Sequence, residues 1–472
     1  MGVGDVLQTG VSGLHTAKSG IATTGHNITN TNTEGYSRQR VKQASYAPDG
    51  DVGSKARTGK GSYVNRIDRV NDEYVEKQLR NTQRDKDYFE ERQQMLSQVE
   101  NVFNEMGGEG MNRLLGTLFN DFRKLGNDPH NESLRQSLRE SASSITNDFK
   151  RLSGSLLEIR NNIDSRIEGH VNEFNAVAEE IKDLNARITR YEVSGQPAND
   201  LRDKRDLLVK QAAGYMDLQV TDDEKGNANI QVRGIGPLVM GPVAEKFSVE
   251  RSPADGKGKA EGAYDIKSTG SANGIVTHTL KGGKLGGLLE VRDQVISRMS
   301  DRLDELAYSV TKAVNEIHRQ GFNRKNTTGI DFFKDLRSKD GAASRFDLED
   351  KIKTDVNNIA SAAERDAPGD NRIAVAISRL QGARLMNNGQ ATMDDFYNSM
   401  VSEVGIITGK NNHSLKQQED MLSHLDSVRE KISGVSLDEE TANLLQYQHA
   451  YDASAKVITV ADKLLETILD MR

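Results

Sequence analysis

The sequence predicts a mainly α chain with an inserted β domain, and three observations carry that reading. Both ends of the chain bear an apolar stripe of helical period. Residues 132–192 repeat apolar side chains by threes and fours over a long stretch. Between such helical segments, residues 214–287 hold 14 of the 42 glycines, three of the seven prolines (Pro237, Pro242, Pro253) and short alternating runs.

At the N-terminus Leu7, Leu14, Ile21 and Ile28 recur every seven residues, with Gly10, Ala17 and Thr24 three places after the first three. At the C-terminus Leu437, Leu444, Tyr451, Ile458 and Leu465 do the same, alternating with Tyr447, Ser454, Ala461 and Ile468 and broken only at Glu440. A sustained 3-4 spacing gathers these side chains on one stripe, the seam of a coiled coil. Both ends carry such a seam, so they are expected to pack on each other or on other subunits. The first helix holds a conflict, because Gly10, Gly13, Gly20 and Gly25 each cost about 1 kcal/mol relative to alanine in a helix interior. It is expected to be poorly ordered alone and helical once partners bury its stripe.

Residues 66–106 read as a mostly solvated helix through Ile67, Val70, Tyr74, Leu96, Val99, Phe103 and Met106. Within 132–192, the run Ile145–Tyr191 would span roughly 70 Å at ~1.5 Å per residue. Another helix is expected from Leu288 to Ile317, and Ile373–Leu385 resumes helix after an irregular stretch, 320–370. In the middle, Leu218–Thr221 and Ile230–Arg233 alternate across a polar turn, a β-hairpin pattern. Its place between long helices makes this region an insertion held on a helical stalk.

Composition removes several chemistries. The 472 residues contain no cysteine, which excludes disulfides, thiolate zinc sites, Fe–S clusters and a thiol nucleophile. The mean hydropathy of −0.66 and lack of a long apolar run argue against a transmembrane helix, and the first residues lack the pattern of a secretory signal. The net charge of −7 weighs against general nucleic-acid binding. The histidines show no metal-ligand spacing. Gly53–Gly61 has one residue too many for a phosphate loop and reads as a mobile loop. Ser309 and Lys312 match a Ser-x-x-Lys spacing but sit on a helix whose stripe is set by Val310 and Val314. Neither is an expected active site, and no cofactor or metal is expected. Ser37–Val70 carries eight Lys/Arg against three Asp; it reads as a basic segment meeting an acidic neighbour, with a nucleic-acid arm as the alternative.

The run Gly25–Gln39 (Gly-His-Asn-Ile-Thr-Asn-Thr-Asn-Thr-Glu-Gly-Tyr-Ser-Arg-Gln) follows the first stripe. It resembles the segment that rod, hook and hook-associated proteins of bacterial flagella share near their N-termini. Its close, Gly35-Tyr36-Ser37-Arg38-Gln39, is similar to the hook-associated protein 1 family, the hook–filament junction branch. Thr29 departs from the small alanine usual there. The segment Gly434–Ile458 is similar to the family's terminal helix almost throughout, with Thr441 where an apolar residue is common. Gly329–Phe333 and Pro368–Asn371 also match. Asn27, Asn30 and Gly35 tolerate left-handed backbone, so the motif ends the helix and turns the chain.

The resemblance implies a structural protein of the flagellum that polymerises at the hook tip and forms the hook–filament junction, without enzymatic activity. It implies a discontinuous, layered rod: residues 1–35 and 435–472 as a paired coiled-coil inner domain, 36–213 and 286–434 as a helical middle domain, and 214–285 as one outer β domain. The assembly seam would be Leu7, Leu14, Ile21, Ile28, Leu437, Leu444, Tyr451, Ile458 and Leu465; the motif and turn would be Asn27, Asn30, Gly35, Tyr36, Ser37, Arg38 and Gln39. Implied partners are other copies in a ring-like assembly, hook protein, the second hook-associated junction protein and the export apparatus. A flagellar export chaperone would bind the last helix through Leu444, Leu445, Tyr447, Tyr451, Ile458 and Leu465. The chain would be made in the cytoplasm, exported without a cleaved signal and reside outside the cell, with neither nucleic acid nor membrane insertion. Rival readings are another axial protein, such as hook protein or the second junction protein, and a coiled-coil adaptor with a nucleic-acid arm.

Overall fold

The computed structural model describes residues 3–470 apart from 47–58, 104–109, 194, 196, 224–225, 252–262, 270–273 and 368. Helix α1 (Val3–Thr29) leads into a hairpin of β1 (Gln39–Ser45) and β2 (Ser62–Arg69). Four helices follow: α2 (Glu73–Phe103), α3 (Met111–Asn127), α4 (Glu132–Glu192) and α5 (Asn199–Ala213). Six strands come next: β3 (Leu218–Asp222), β4 (Ala228–Val232), β5 (Gly236–Met240), β6 (Val243–Ala244), β7 (Phe247–Arg251) and β8 (Tyr264–Ser268). Then come α6 (Gly283–Glu290), α7 (Ser297–His318), the short α8 (Ala342–Arg345), α9 (Asp350–Thr354) and α10 (Arg372–Ser378), and the long α11 (Met393–Ser433) and α12 (Leu437–Asp470).

Helix α4 is the axis on which the rest is built. It starts where the Asn131 side chain accepts the Leu134 N–H, satisfying one of the free donors of the first turn. Over 61 residues it buries one face, from Leu138, Ile145 and Phe149 through Ile163 and Phe174 to Ile188. Helices α3, α5, α2 and α6 and strands β4, β5, β6 and β7 contact it, so a single apolar core follows its length.

The strands form an antiparallel meander β3-β4-β5-β6 and a separate β7-β8 hairpin. Two asparagines of α4 fasten them as a neighbouring strand would. Asn185 donates to Ala228 O (2.9 Å) and accepts from Ala228 N (3.1 Å); Asn175 does the same with Phe247, at 2.7 and 3.0 Å. Ile230, Val232, Val239, Phe247 and Ile266 join the helical core, so this β region shares its interior with the stalk that carries it.

Three expectations need correction. Residues 66–69 belong to strand β2, where Ile67 pairs across from Val41; their helical spacing is fortuitous and helix begins at Glu73. Helix α2 is not mostly solvated: α11, α6 and α4 surround it and bury Val75, Leu79, Met95, Leu96 and Val99 along with Thr82, Asp87 and Glu91. The helix expected from Leu288 begins at Gly283 and is interrupted by a π-helical turn, Val291–Ile296. There the buried Arg292 reaches Asp164 of α4 (2.7 Å) and the carbonyl of Tyr264 in β8 (2.8 Å).

The stretch 320–370 is irregular but tightly anchored. Phe332, Phe333 and Phe346 are buried and stack with Phe149 and Phe122 at 4.6–5.0 Å between ring centroids. Asn315 accepts the Phe332 and Phe333 N–H groups, and the fully buried Arg135 donates to the carbonyls of Pro129 and Ile359 and to the Ser361 hydroxyl.

Candidate assembly site at the paired termini

Helices α1 and α12 lie antiparallel, and small residues let them approach closely. A Cβ placed on Gly20 would fall 2.5 Å from the Tyr447 ring, one on Gly13 2.7 Å from Ser454 Oγ, and one on Gly10 2.9 Å from Ile458 Cγ1. The residues of α1 that are buried are Gly10, Thr16, Ala17, Gly20, Thr23, Thr24 and Asn27. Gly10, Gly13 and Gly20 thus stand where side chains of α12 need room, and close packing offsets their helix cost, whereas a Cβ on Gly25 would meet nothing within 4 Å.

The apolar row read from sequence therefore has a different place. Leu7, Leu14, Ile21 and Ile28 flank the small row and stay half-buried. On α12 only Glu440 and Ala461 are fully buried; Leu444, Tyr447, Ser454 and Ile458 are half-buried against α1. Leu437, Leu445, Tyr451, Val457, Val460, Leu464, Leu465 and Ile468 remain exposed.

Where α1 ends, a polar clasp joins four segments. Gly35 adopts φ +77°, a conformation that disfavours any side chain, and turns the chain so that residues 36–39 run back beside Asn27. Asn27 uses its whole amide: Oδ1 accepts from Tyr36 OH (2.7 Å) and Gln39 N (2.9 Å), and Nδ2 donates to Gln39 O and Glu440 Oε2, both at 2.9 Å. Arg38 reaches across to α12, with Nε on Glu440 Oε1 and Nη1 on Glu439 Oε2, each at 2.8 Å, while its N–H donates to Ser433 O at 2.9 Å. Asn30 holds the turn by donating to His26 O (2.9 Å) and accepting from Thr33 Oγ1 (3.1 Å). Toward the helical body, Ser37 N donates to Asp203 of α5 (3.0 Å), Gln39 Nε2 to Asp200 (2.8 Å), and Arg69 of β2 to Asp203 (2.9 Å) and Asp206 (2.7 Å).

The electrostatics keep the donors and charges of the joint matched. Burial, then the charges of Asp200, Asp203 and Glu440, raises the Tyr36 pKa, which keeps its hydroxyl a donor. Burial also raises Asp203, against the pull of Arg69 and the Ser37 N–H. Burial would lower Arg69, but Asp206 and Asp203 outweigh it and the guanidinium stays charged. The seven motif residues thus converge on one joint. Glu440, Asp200, Asp203 and Ser433 complete it and were given no role from sequence. Glu440 had one legible signal: it is the charged break in an otherwise unbroken stripe.

Elsewhere the basic segment meets acidic partners: Lys42 and Arg66 contact Asp68 at 2.8 Å, beside the Arg38 and Arg69 pairs. Residues 53–58 of the glycine-bounded loop lie outside the described residues. Lys312 is paired with Asp335 at 2.8 Å, as on a solvated helix face. A cleft of about 1040 Å³ beside β2, α5 and β3 is lined by charged side chains of both signs, among them Arg66, Arg202, Glu192 and Asp222. Among the described residues, no helix is long and apolar enough to cross a membrane.

Comparison with known proteins gives consistent matches. The family profile described as flagellar hook-associated protein FlgK helical domain matches residues 96–333, half of the chain. That of the flagellar basal body rod FlgEFG protein C-terminal matches residues 430–471. Flagellar hook-associated protein 1 of Bacillus subtilis (strain 168) is 27% identical over an alignment of 493 residues, covering 98% of this chain and 97% of that protein. Its Escherichia coli (strain K12) counterpart is 25% identical over 549, covering 99% and 100%. The solved structure of the flagellar hook junction protein FlgK from Burkholderia pseudomallei superposes with a TM-score of 0.66 at 16% identity, over 75% of this chain and 100% of that one, a likeness of fold.

Proposed function

The chain belongs to the FlgK family of flagellar hook-associated proteins, and we propose that it assembles through the faces its paired termini leave uncovered. Its role is structural, in the hook–filament junction of the flagellum. The observation that supports the assembly reading is the exposure of the α12 apolar residues Leu445, Val460, Leu464 and Ile468 on a helix whose other side is already occupied by α1. Exposed apolar surface of that extent on a regular helix marks a protein contact. In this reading, copies join through a coiled-coil seam formed by both termini, the helices around α4 make the middle layer of the rod, and the strands from 214 to 285 face outward. The fit of Tyr447 on Gly20 and of Ile458 on Gly10 supports α1–α12 pairing as the unit that is added.

The same reading takes hook protein and the second junction protein as neighbours, export without a cleaved signal as the route, and a chaperone on α12 before assembly. It assigns no catalytic or nucleic-acid role, in keeping with the acidic partners that Arg38, Lys42, Arg66 and Arg69 find within the chain. The full chain carrying Leu445→Asp with Val460→Asp, both exposed on α12, tests the uncovered face. It should lose binding to isolated hook tips while residues 214–285, whose core is shared with α4, stay folded by amide exchange. Undiminished hook-tip binding by that variant would sink the assignment.

A further inference from the structure

The β insertion joins the helical stalk through a neck where its two ends meet. The chain leaves α5 at Gly214 and returns at the start of α6, and backbone bonds tie the two passages together. Lys284 N donates to Gly214 O at 2.9 Å, and Leu285 N to Tyr215 O at 3.1 Å. The approach is so close that a Cβ on Gly283 would overlap the Tyr215 carbonyl. Whatever frees Tyr215 therefore loosens both ends of the insertion at once.

His170 of α4 stands against this neck. Its ring meets the Tyr215 ring edge-on at 5.7 Å between centroids, and Lys284 Nζ lies 5.0 Å from the centre of the same tyrosine. His170 Nδ1 faces Glu173 Oε2 of α4 at 3.0 Å, and Nε2 faces Glu91 Oε1 of α2 at 3.2 Å. The Tyr215 hydroxyl donates to the same Glu173 oxygen at 3.1 Å, so the neck, α4 and α2 share one hydrogen-bonded chain. A carboxylate only accepts, and a neutral imidazole carries a single N–H. The imidazolium alone serves both glutamates. The other charged groups around the ring are Arg166 of α4, 2.9 Å from the second oxygen of Glu91, Lys284 of α6, and Asp87 of α2, which abuts Gly214.

We propose that His170 is a pH-sensitive latch on the neck of the β insertion, closed when its ring is doubly protonated and open when the ring is neutral. Closed, it ties α2 to α4 through Glu91 and holds Glu173 in place for Tyr215. Open, one ring nitrogen turns a lone pair on a carboxylate oxygen, and the buried Glu91 has little water to compensate. Burial favours the neutral ring, but the hydrogen bonds and charges of Glu91 and Glu173 outweigh it and raise the His170 pKa above its ordinary value. The latch's contribution is therefore complete below the unfolded-chain value of about 6.5 and is lost as pH rises through the higher folded value. Farther along, Asn175 and Asn185 hold Phe247 and Ala228 through amides that do not titrate. Alkaline pH thus frees the neck and leaves the strands folded.

The test uses the full-length parent and His170→Gln chains with isotope-labelled histidine rings. The His170 signal, identified by its loss in the variant, should show two ring N–H groups at pH ~6 and one at pH ~9. Once corrected for intrinsic exchange rates, protection of the Lys284 and Leu285 amides should fall roughly fivefold over that interval in the parent. In His170→Gln, whose side chain does not titrate, it should already be low at pH ~6 and change less than about twofold. Protection of the Ala228 and Phe247 amides should hold in both chains. A ring that is neutral at pH ~6 overturns the latch, as does an equal pH dependence of neck protection in both chains. Should His170→Gln not fold, Glu91→Gln replaces it. Loss of that charge should move one histidine's titration midpoint down toward ~6.5, and the fall in neck protection with it; unmoved midpoints overturn the assignment.

Discussion

Asn27, Arg38 and Glu440 show how single residues fix the joint between the terminal pair and the body. Glu440 is only 2% exposed, and its carboxylate is held by Arg38 and the Asn27 amide. Arg38→Ala leaves that carboxylate buried with half its partners and should destabilise the terminal pair by about 2–3 kcal/mol, below the ~3–5 for a fully buried pair because Arg38 is partly open to water. Faster amide exchange in α12 of the variant, with α4 unchanged, is the expected readout. His318 offers a second residue-scale case. It is fully buried, with Nδ1 on Ile330 O (2.8 Å) and Nε2 accepting from Ala360 N (2.9 Å), an arrangement that requires the neutral ring. Burial lowers its pKa to about 4. Above pH ~6.5 both folded and unfolded chains hold the ring neutral and its contribution is complete; as pH falls toward 4, only the unfolded chain takes the proton and stability is lost, by about 3 kcal/mol. Urea unfolding should therefore show a shallower loss between pH 6.5 and 4 in His318→Gln than in the parent chain.

At the scale of elements, glycine decides where α1 can lie. Gly20 receives the Tyr447 ring at a distance no Cβ tolerates. Gly20→Val should separate α1 from α12 even though it improves intrinsic helix propensity, since the overlap is with a ring on the partner helix. Tyr447→Ala in the same chain should restore part of the pairing, measured by amide exchange over residues 3–29. Helical period was plain in the sequence for α4, because its buried face repeats by threes and fours without interruption from Ile145 to Ile163. The β1–β2 hairpin was not legible, because its paired residues are largely polar and gain their order from α1 and α5 instead of from an alternating apolar face. Of the joint, the motif from Asn27 to Gln39 was legible by resemblance, whereas Asp203 and Ser433, distant in sequence and unremarkable in type, became partners only through folding.

Across the whole molecule, stability is unevenly distributed. A continuous core runs from α2 and α3 along α4 into the strands and on to α11, up to Val404. The terminal pair stands outside it, with only Glu440 and Ala461 fully buried on α12. So little buried apolar surface supports only a low local opening free energy. Amide exchange in the free monomer should accordingly be faster along the terminal pair than along α4, and the terminal segments should gain further protection on assembly. Full protection of both termini in the monomer would contradict this account.

The sequence by itself determined that the long segment from Ile145 to Tyr191 is helical, that both termini carry apolar stripes, that the middle forms strands, and through its end motifs which family the chain resembles. These are local matters: a 3-4 or 2-residue period and a turn motif need only neighbouring residues to be expressed. The tertiary structure alone decided which face of each terminal helix is used. The small row of α1 packs inside and the leucine row flanks it, because Tyr447, Ser454 and Ile458 of α12 fit where glycine leaves space. It also turned Glu440 from a flaw in a stripe into the centre of a clasp, since a buried carboxylate is tolerable only where Arg38 and Asn27, some four hundred residues away in the chain, are brought beside it.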